Sequence, residues 1–136
     1  MALRSLVSFL ITLLFTAALV GCSDEQKELK GLAFELTASS IESVETSEGI
    51  DALFHTVCSG NRCMYITETN TPSLPGDDAA RSEMTFMGIP AERVEEERGA
   101  IVVMNTGKKF PRMIIVGFKA GDEEFMMKRL SRFVIQ

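Results

Sequence analysis

Histidine, cysteine and basic residues are scarce in this sequence. Among 136 residues there are one histidine, three cysteines and 14 lysines and arginines, against 19 acidic residues. The net charge of −5 argues against nucleic acid as a partner, because such a partner needs a basic footprint. The chain also lacks a Cys-x-x-Cys pair, a Gly-x-Ser-x-Gly elbow and a cluster of metal ligands, so we predict no cofactor and no metal.

The amino-terminal segment differs in composition from everything after it. Arg4 is its only charged residue, and an uncharged, mostly apolar run extends over residues 6–20. This run closes with an aliphatic Leu19, and a small Gly21 and the thiol of Cys22 follow. The pattern resembles the lipobox signal peptide of bacterial lipoproteins.

This resemblance implies that residues 1–21 are removed and that Cys22 is acylated. Each buried acyl CH₂ contributes about 0.8 kcal/mol, so two or more chains hold a protein stably on a membrane. In lipoproteins an Asp directly after the cysteine favours the inner membrane, whereas this chain has Ser23. We therefore expect a lipid anchor in the inner leaflet of the outer membrane rather than in the inner membrane. Polar residues 22–30 would form a flexible tether.

Two other interpretations of the amino-terminal segment stay open. The apolar run approaches the ~17 to 25 residues that a membrane-spanning helix needs, which would make it an uncleaved signal anchor. It would also suit an ordinary secretory signal in which Cys22 occurs by coincidence.

Cys58 and Cys63 remain once Cys22 is assigned to lipid, and an even number of cysteines in an exported chain predicts a disulfide. The Gly60-Asn61 pair between them favours a tight turn, which brings two Cα atoms to about the ~4.4 to 6.8 Å that is usual for a disulfide. A redox-active pair has two intervening residues, and a zinc site would have only His55 as a further ligand. We predict a structural disulfide.

Three segments in the first half of the folded part have a clear hydrophobic period. Residues 32–38 and 63–67 alternate with period two and predict strands. Residues 47–58 carry apolar side chains at helical spacing and predict a helix. Its stripe consists of Ile50, Leu53, Phe54, Val57 and Cys58.

The second half predicts two further helices and a hairpin. Residues 69–78 contain two prolines and a glycine and predict a loop, either a binding loop or a plain connector. Asp77 or Asp78 would then begin a helix that ends at Gly88. The apolar runs 100–104 and 113–118 predict the two strands of a hairpin. Residues 122–134 predict an amphipathic helix.

This order of elements predicts an α+β fold. We expect a two-layer sandwich in which three helices pack on one face of a mainly antiparallel sheet of about four strands. Residues 31–136 would form one domain of ordinary size.

The functional prediction is a non-catalytic envelope lipoprotein whose periplasmic domain binds an envelope protein, peptidoglycan or lipid. Lys128, Arg129 and Arg132 would lie near the end of the last helix, where they complement the helix dipole or contact a membrane or partner. The alternative is a small periplasmic enzyme, hydrolase-like or redox, with a site of carboxylates or His55 assembled by the fold.

Overall fold

β-Strands paired in two antiparallel sheets make up most of the described chain. The computed structural model describes residues 26–136, so the predicted signal peptide, Cys22 and the first residues of the predicted tether lie outside the described residues. Ten strands and one short helix follow in chain order. They are β1 (Gln26–Lys30), β2 (Phe34–Ser39), β3 (Ser43–Gly49), β4 (Ala52–Ser59), β5 (Arg62–Thr69), β6 (Arg81–Phe86), β7 (Ile89–Glu96), β8 (Gly99–Asn105), β9 (Met113–Lys119), α1 (Glu123–Met127) and β10 (Leu130–Ile135).

The predicted α+β architecture is wrong, because the second layer of the sandwich is a sheet and not a set of helices. One sheet has three strands in the order β1-β2-β10, and the other has seven in the order β3-β4-β5-β9-β8-β7-β6. Every strand pair is antiparallel, as expected for the sheet itself.

The two sheets share one apolar core. Phe34 of β2 lies at its centre, with its ring centroid 5.2 Å from that of Phe133 in β10 and 5.2 Å from the ring of His55 in β4. Phe86 of β6 meets Phe133 edge to face, also at 5.2 Å. Aromatic rings in these arrangements stabilise a core beyond the area they bury.

The helix predicted over residues 47–58 is in fact the hairpin of β3 and β4. The chain reverses at Ile50 and Asp51, and Asp51 has a positive φ of 53°. Along β4 apolar residues occur on both faces: Val57 is buried in the core, whereas Phe54 is 44% exposed on the opposite face. Apolar residues on both faces of a strand can fall three and four positions apart, as they do in a helix, and for this reason the helix prediction was wrong.

The helix predicted to end at Gly88 is replaced by strand β6. Met87 and Gly88 both have positive φ, 50° and 83°, as a two-residue hairpin turn into β7 requires. Met84 and Phe86 alternate with exposed residues, and Phe86 is only 1% exposed. Burial of Phe86 against aromatic rings of other strands favours the strand over a helix.

The predicted carboxy-terminal helix shrinks to the five residues of α1, and the rest of it is strand β10. The register against β2 shifts between Leu130 and Arg132, which marks a β-bulge. Because of this bulge Leu130 and Phe133 both face the core although they are three residues apart. The spacing of three residues between Leu130 and Phe133 is also typical of one face of a helix, which is why the sequence predicted one here.

Other local predictions are confirmed. The strands predicted over residues 32–38 and 63–67 correspond to β2 and β5, and a loop connects β5 to β6. The predicted hairpin is formed by β8 and β9, which lie near the middle of the seven-stranded sheet.

Residues 26–30, expected in the flexible tether, instead form β1 and pair with β2.

Candidate functional site

A network of hydrogen bonds, buried except at the exposed Thr46, links β3, β4 and β5 to the turn between β1 and β2. Glu68 is 0% exposed, and its two carboxylate oxygens accept the backbone N–H of Ala33 at 2.7 Å and of Leu32 at 3.0 Å. His55 Nε2 lies 2.9 Å from the same carboxylate, and His55 Nδ1 lies 2.9 Å from Oγ1 of Thr46. Every polar side-chain group in this hydrogen-bond network thus has a partner.

The carboxylate determines the direction of these hydrogen bonds. Burial raises the pKa of Glu68, but the hydrogen bonds from His55 and from the N–H groups of Leu32 and Ala33 outweigh it and hold the pKa below its ordinary value. The group is therefore ionised at neutral pH and can only accept. Nε2 of His55 must then carry a proton and donate it to the carboxylate.

The order hydroxyl, imidazole, carboxylate is the order found in catalytic triads. His55, however, is only 1% exposed, and Thr46 lies outside the two apolar grooves described below. What the network does in this fold is hold the β1–β2 turn against the seven-stranded sheet. Gly31 in that turn has no room for a side chain, because a Cβ there would lie 2.3 Å from the Phe34 ring and 2.8 Å from Glu68.

Three turns at one end of the sandwich each expose a large apolar side chain. Leu32 between β1 and β2 is 54% exposed, Ile50 between β3 and β4 is 94% exposed, and Phe110 between β8 and β9 is 51% exposed. We name these three residues and their turns the distal end. Leu32, Leu53 and Phe110 line a shallow groove of about 300 Å³ there.

A second apolar groove runs along the outer face of the seven-stranded sheet. It consists of two adjoining cavities of about 280 and 290 Å³, both lined by Thr67, Ile101 and Ile115. Phe54 and Tyr65 flank it and are 44% and 41% exposed. Charged Glu96 also lines both cavities, and Arg98 and Lys119 line the first, so the groove combines apolar and charged side chains.

Cys58 and Cys63 face each other across the β4–β5 hairpin. Their sulfur atoms are 2.03 Å apart and their Cα atoms 4.1 Å apart. The bond closes the hairpin at the turn formed by Gly60, which has a φ of 61°. It therefore joins two neighbouring strands and not a helix and a strand.

We expect both cysteines to be oxidised in the mature protein. Iodoacetamide added to the denatured, unreduced chain should leave Cys58 and Cys63 unmodified, and prior reduction should allow two adducts, as measured by peptide mass. Two adducts without reduction would contradict the predicted disulfide.

The three basic residues expected near the end of the last helix are separated. Lys128 follows α1 with its side chain 71% exposed. The guanidinium of Arg129 lies 3.4 Å from the ring centroid of Phe125. Arg132 is on β10, where its guanidinium lies 3.8 Å from a carboxylate oxygen of Glu35. Only Arg129 and Lys128 remain neighbours.

Sequence reasoning did not single out Thr46, Glu68, Leu32 or Phe110. A signal for Glu68 was present, because it alternates in phase with the buried residues Met64 and Ile66 of β5. An ionisable group in a buried register requires a partner.

In the part of the chain that the structure describes, no three side chains among His, Cys, Asp and Glu are grouped to hold a metal ion. Helices long and apolar enough to cross a membrane are absent from residues 26–136. Comparison of the chain with protein-family models, with curated proteins and with solved structures found no match.

Proposed function

We propose that this protein is a lipid-anchored envelope protein whose folded domain binds another envelope protein, without catalysis, through its distal end. The lipobox pattern ending at Cys22 supports the anchor. The observation that carries the binding role is the display of Leu32, Ile50 and Phe110 on three separate turns at one end.

The position of the distal end suits this role. β1 begins at Gln26, and the six residue-to-residue steps from there to Leu32 span about 20 Å at strand spacing. An anchor at Cys22 therefore holds the opposite end of the sandwich nearest the membrane and leaves the distal end facing away from it.

The chemistry of the distal end favours a protein partner over peptidoglycan. Peptidoglycan presents sugar hydroxyls and charged peptide stems, which need polar donors and acceptors. Aliphatic and aromatic side chains such as Leu32 and Phe110 instead match the apolar centre of a protein interface.

The anchor is tested at Cys22. Cys22→Ser should abolish incorporation of radioactive fatty acid and leave an unprocessed precursor, because the thiol is the acyl acceptor. Cys63→Ser is the matched control and should keep the label. Normal labelling of Cys22→Ser would rule out the lipobox. Fractionation that finds the lipidated protein in the inner membrane would reverse the expected location.

Binding is tested by photo-crosslinking in cells. Benzoylphenylalanine at Phe110 or Ile50 should give one discrete crosslinked product, whereas the same residue at exposed Glu28, on the outer face of β1, should give none. Leu32→Ser should abolish the product from Phe110, because it removes apolar surface from the same groove. Equal products from Glu28 and Phe110, or no effect of Leu32→Ser, would count against the distal end as the binding site.

The second candidate function is a hydrolase, and the hydrogen-bonded order of Thr46, His55 and Glu68 favours it. In this case Thr46 would be the nucleophile and His55 the base. A fluorophosphonate probe should then modify Thr46 in the wild type but not in the His55→Gln variant. Absence of any adduct in the wild type leaves the binding role as the better account.

A further inference from the structure

The end of the sandwich opposite the distal end is where the chain joins the described fold. Gln26, the first residue of β1, pairs with Ser39. The N–H of Ser39 donates to the carbonyl oxygen of Arg129 at 3.0 Å, and Nζ of Lys27 donates to the carbonyl oxygen of Glu42 at 2.8 Å. The start of β1 is thus hydrogen-bonded, through β2, to the segment that follows α1.

Two arginines share one aromatic ring at this end. The guanidinium carbons of Arg129 and Arg62 lie 3.4 Å and 4.1 Å from the ring centroid of Phe125. Arg129 Nε donates to Oγ of Ser59 at 3.3 Å, and that hydroxyl donates to the carbonyl oxygen of Ser40. We name this region the proximal end, defined by Gln26, Ser59, Arg62, Phe125 and Arg129.

Acidic side chains also lie at this end, but neither arginine forms a close ion pair with them. Lys128 pairs with Glu124 at 3.2 Å, and Arg62 Nε is 3.9 Å from Asp122. Within the described residues Arg129 has no ion pair. The proximal end is close to charge balance, so any affinity for anions would come from the two guanidinium groups held on Phe125 and not from a general positive field.

We propose that the proximal end binds anionic phospholipid headgroups, with Arg62 and Arg129 contacting lipid phosphates. This inference rests on the proposed lipid anchor at Cys22. The guanidinium of Arg62 can bind a phosphate with two parallel hydrogen bonds. Arg129 already donates from Nε to Ser59 and from Nη1 to the carbonyl oxygen of Phe125, so it would contact phosphate through its remaining N–H groups. Stacking on Phe125 already restricts both side chains, so less conformational entropy is lost on binding.

The length of the connection favours lipid as the occupant. Three residues separate Cys22 from Gln26, so the four residue-to-residue steps between them span at most about 14 Å when fully extended. The proximal end of an anchored protein is therefore confined to the neighbourhood of the headgroups. A weak interaction is then sufficient, because the tether raises the effective concentration of lipid at the site.

The lipidated full-length mature protein in vesicles is the system for the test. The chain contains no tryptophan, so one introduced tryptophan is a unique fluorescent donor. Asn61→Trp reports from the turn beside Arg62, and Phe110→Trp is the matched reporter at the distal end. Energy transfer to dansyl-labelled headgroups is compared between phosphatidylglycerol-rich and pure phosphatidylcholine vesicles.

We expect Asn61→Trp to show stronger transfer in phosphatidylglycerol, lost at high salt, and Phe110→Trp to show weak transfer in both lipids. Arg62→Gln combined with Arg129→Gln should reduce the ratio of docked to undocked protein roughly 30-fold, since each basic residue at an anionic surface changes it about fivefold. Arg132→Gln should leave it unchanged.

Equal transfer from Asn61→Trp in the two lipids, or transfer insensitive to salt, would overturn the inference even if the double variant fails to fold. Unchanged transfer in a folded double variant would also overturn it. The mass of the peptide carrying Cys22 separates this failure from loss of the anchor. Acylated Cys22 without lipid-dependent transfer contradicts only the docking, whereas unacylated Cys22 contradicts the anchor and this inference together.

Discussion

Replacing Glu68 with glutamine is expected to lower the free energy of unfolding by about 1 to 3 kcal/mol, the usual cost of leaving a buried hydrogen-bond donor without an acceptor. The carboxylate accepts from the backbone N–H groups of Leu32 and Ala33 and from His55. A glutamine amide has one oxygen. Whichever way it is turned, its NH₂ group faces one of the two backbone donors, which is left buried without an acceptor.

Denaturant titration followed by circular dichroism measures this change. Glu28→Gln is the matched control, because Glu28 is exposed on β1, and its effect should stay within about 0.5 kcal/mol. An effect of Glu68→Gln no larger than that of the control would show that the buried network does not hold the β1–β2 turn.

The same residue gives the stability a pH dependence. The folded-state pKa of Glu68 lies below its ordinary value of 4.5, so the unfolded chain takes up the proton first as the pH falls. Its contribution is therefore complete above about pH 4.5 and is lost as the pH falls through the folded-state pKa. Glu68→Gln should remove this part of the acid sensitivity, as measured by unfolding at a series of pH values.

Phe133→Ala is expected to cost about 3 to 5 kcal/mol of stability, the usual range when a buried phenylalanine is truncated. Phe133 is 4% exposed and lies between the rings of Phe34 and Phe86, each at a centroid distance of 5.2 Å. Truncation removes the contacts of β10 with β2 in its own sheet and with β6 in the seven-stranded sheet. It also leaves a cavity in the core.

Phe110→Ala is the matched control, because that ring is 51% exposed at the distal end. It should leave the midpoint of chemical denaturation nearly unchanged while removing apolar surface from the proposed binding site. Similar midpoints for Phe133→Ala and Phe110→Ala would mean that β10 is peripheral to the core.

Local patterns in the sequence were sufficient where one face of a strand is buried and the other is polar. β2 shows this alternation clearly, and turn-forming residues define the loop between β5 and β6. The hairpin of β8 and β9 was also predictable, because two apolar runs flank a segment with Asn105 and Gly107. The close spacing of Cys58 and Cys63 likewise needed no structure to suggest a disulfide.

The helix predictions were wrong where apolar residues three or four positions apart belong to a strand that contacts distant parts of the chain. β4 carries Phe54 on its outer face and Val57 on its inner face, and the bulge in β10 puts Leu130 and Phe133 on one face. Both arrangements imitate a helical stripe. Neither can be distinguished from a helix without knowing which strand lies alongside.

The sequence by itself determined the amino-terminal lipobox pattern, the acidic balance and the clearest strands, because these depend only on neighbouring residues. Tertiary structure alone decided that Glu68 meets His55, 13 residues away, and the N–H of Leu32, 36 residues away. It also decided that Leu32 and Phe110 line one groove. In an antiparallel sandwich these contacts arise from strand pairing and sheet packing between distant segments, and no local period encodes which segments will meet.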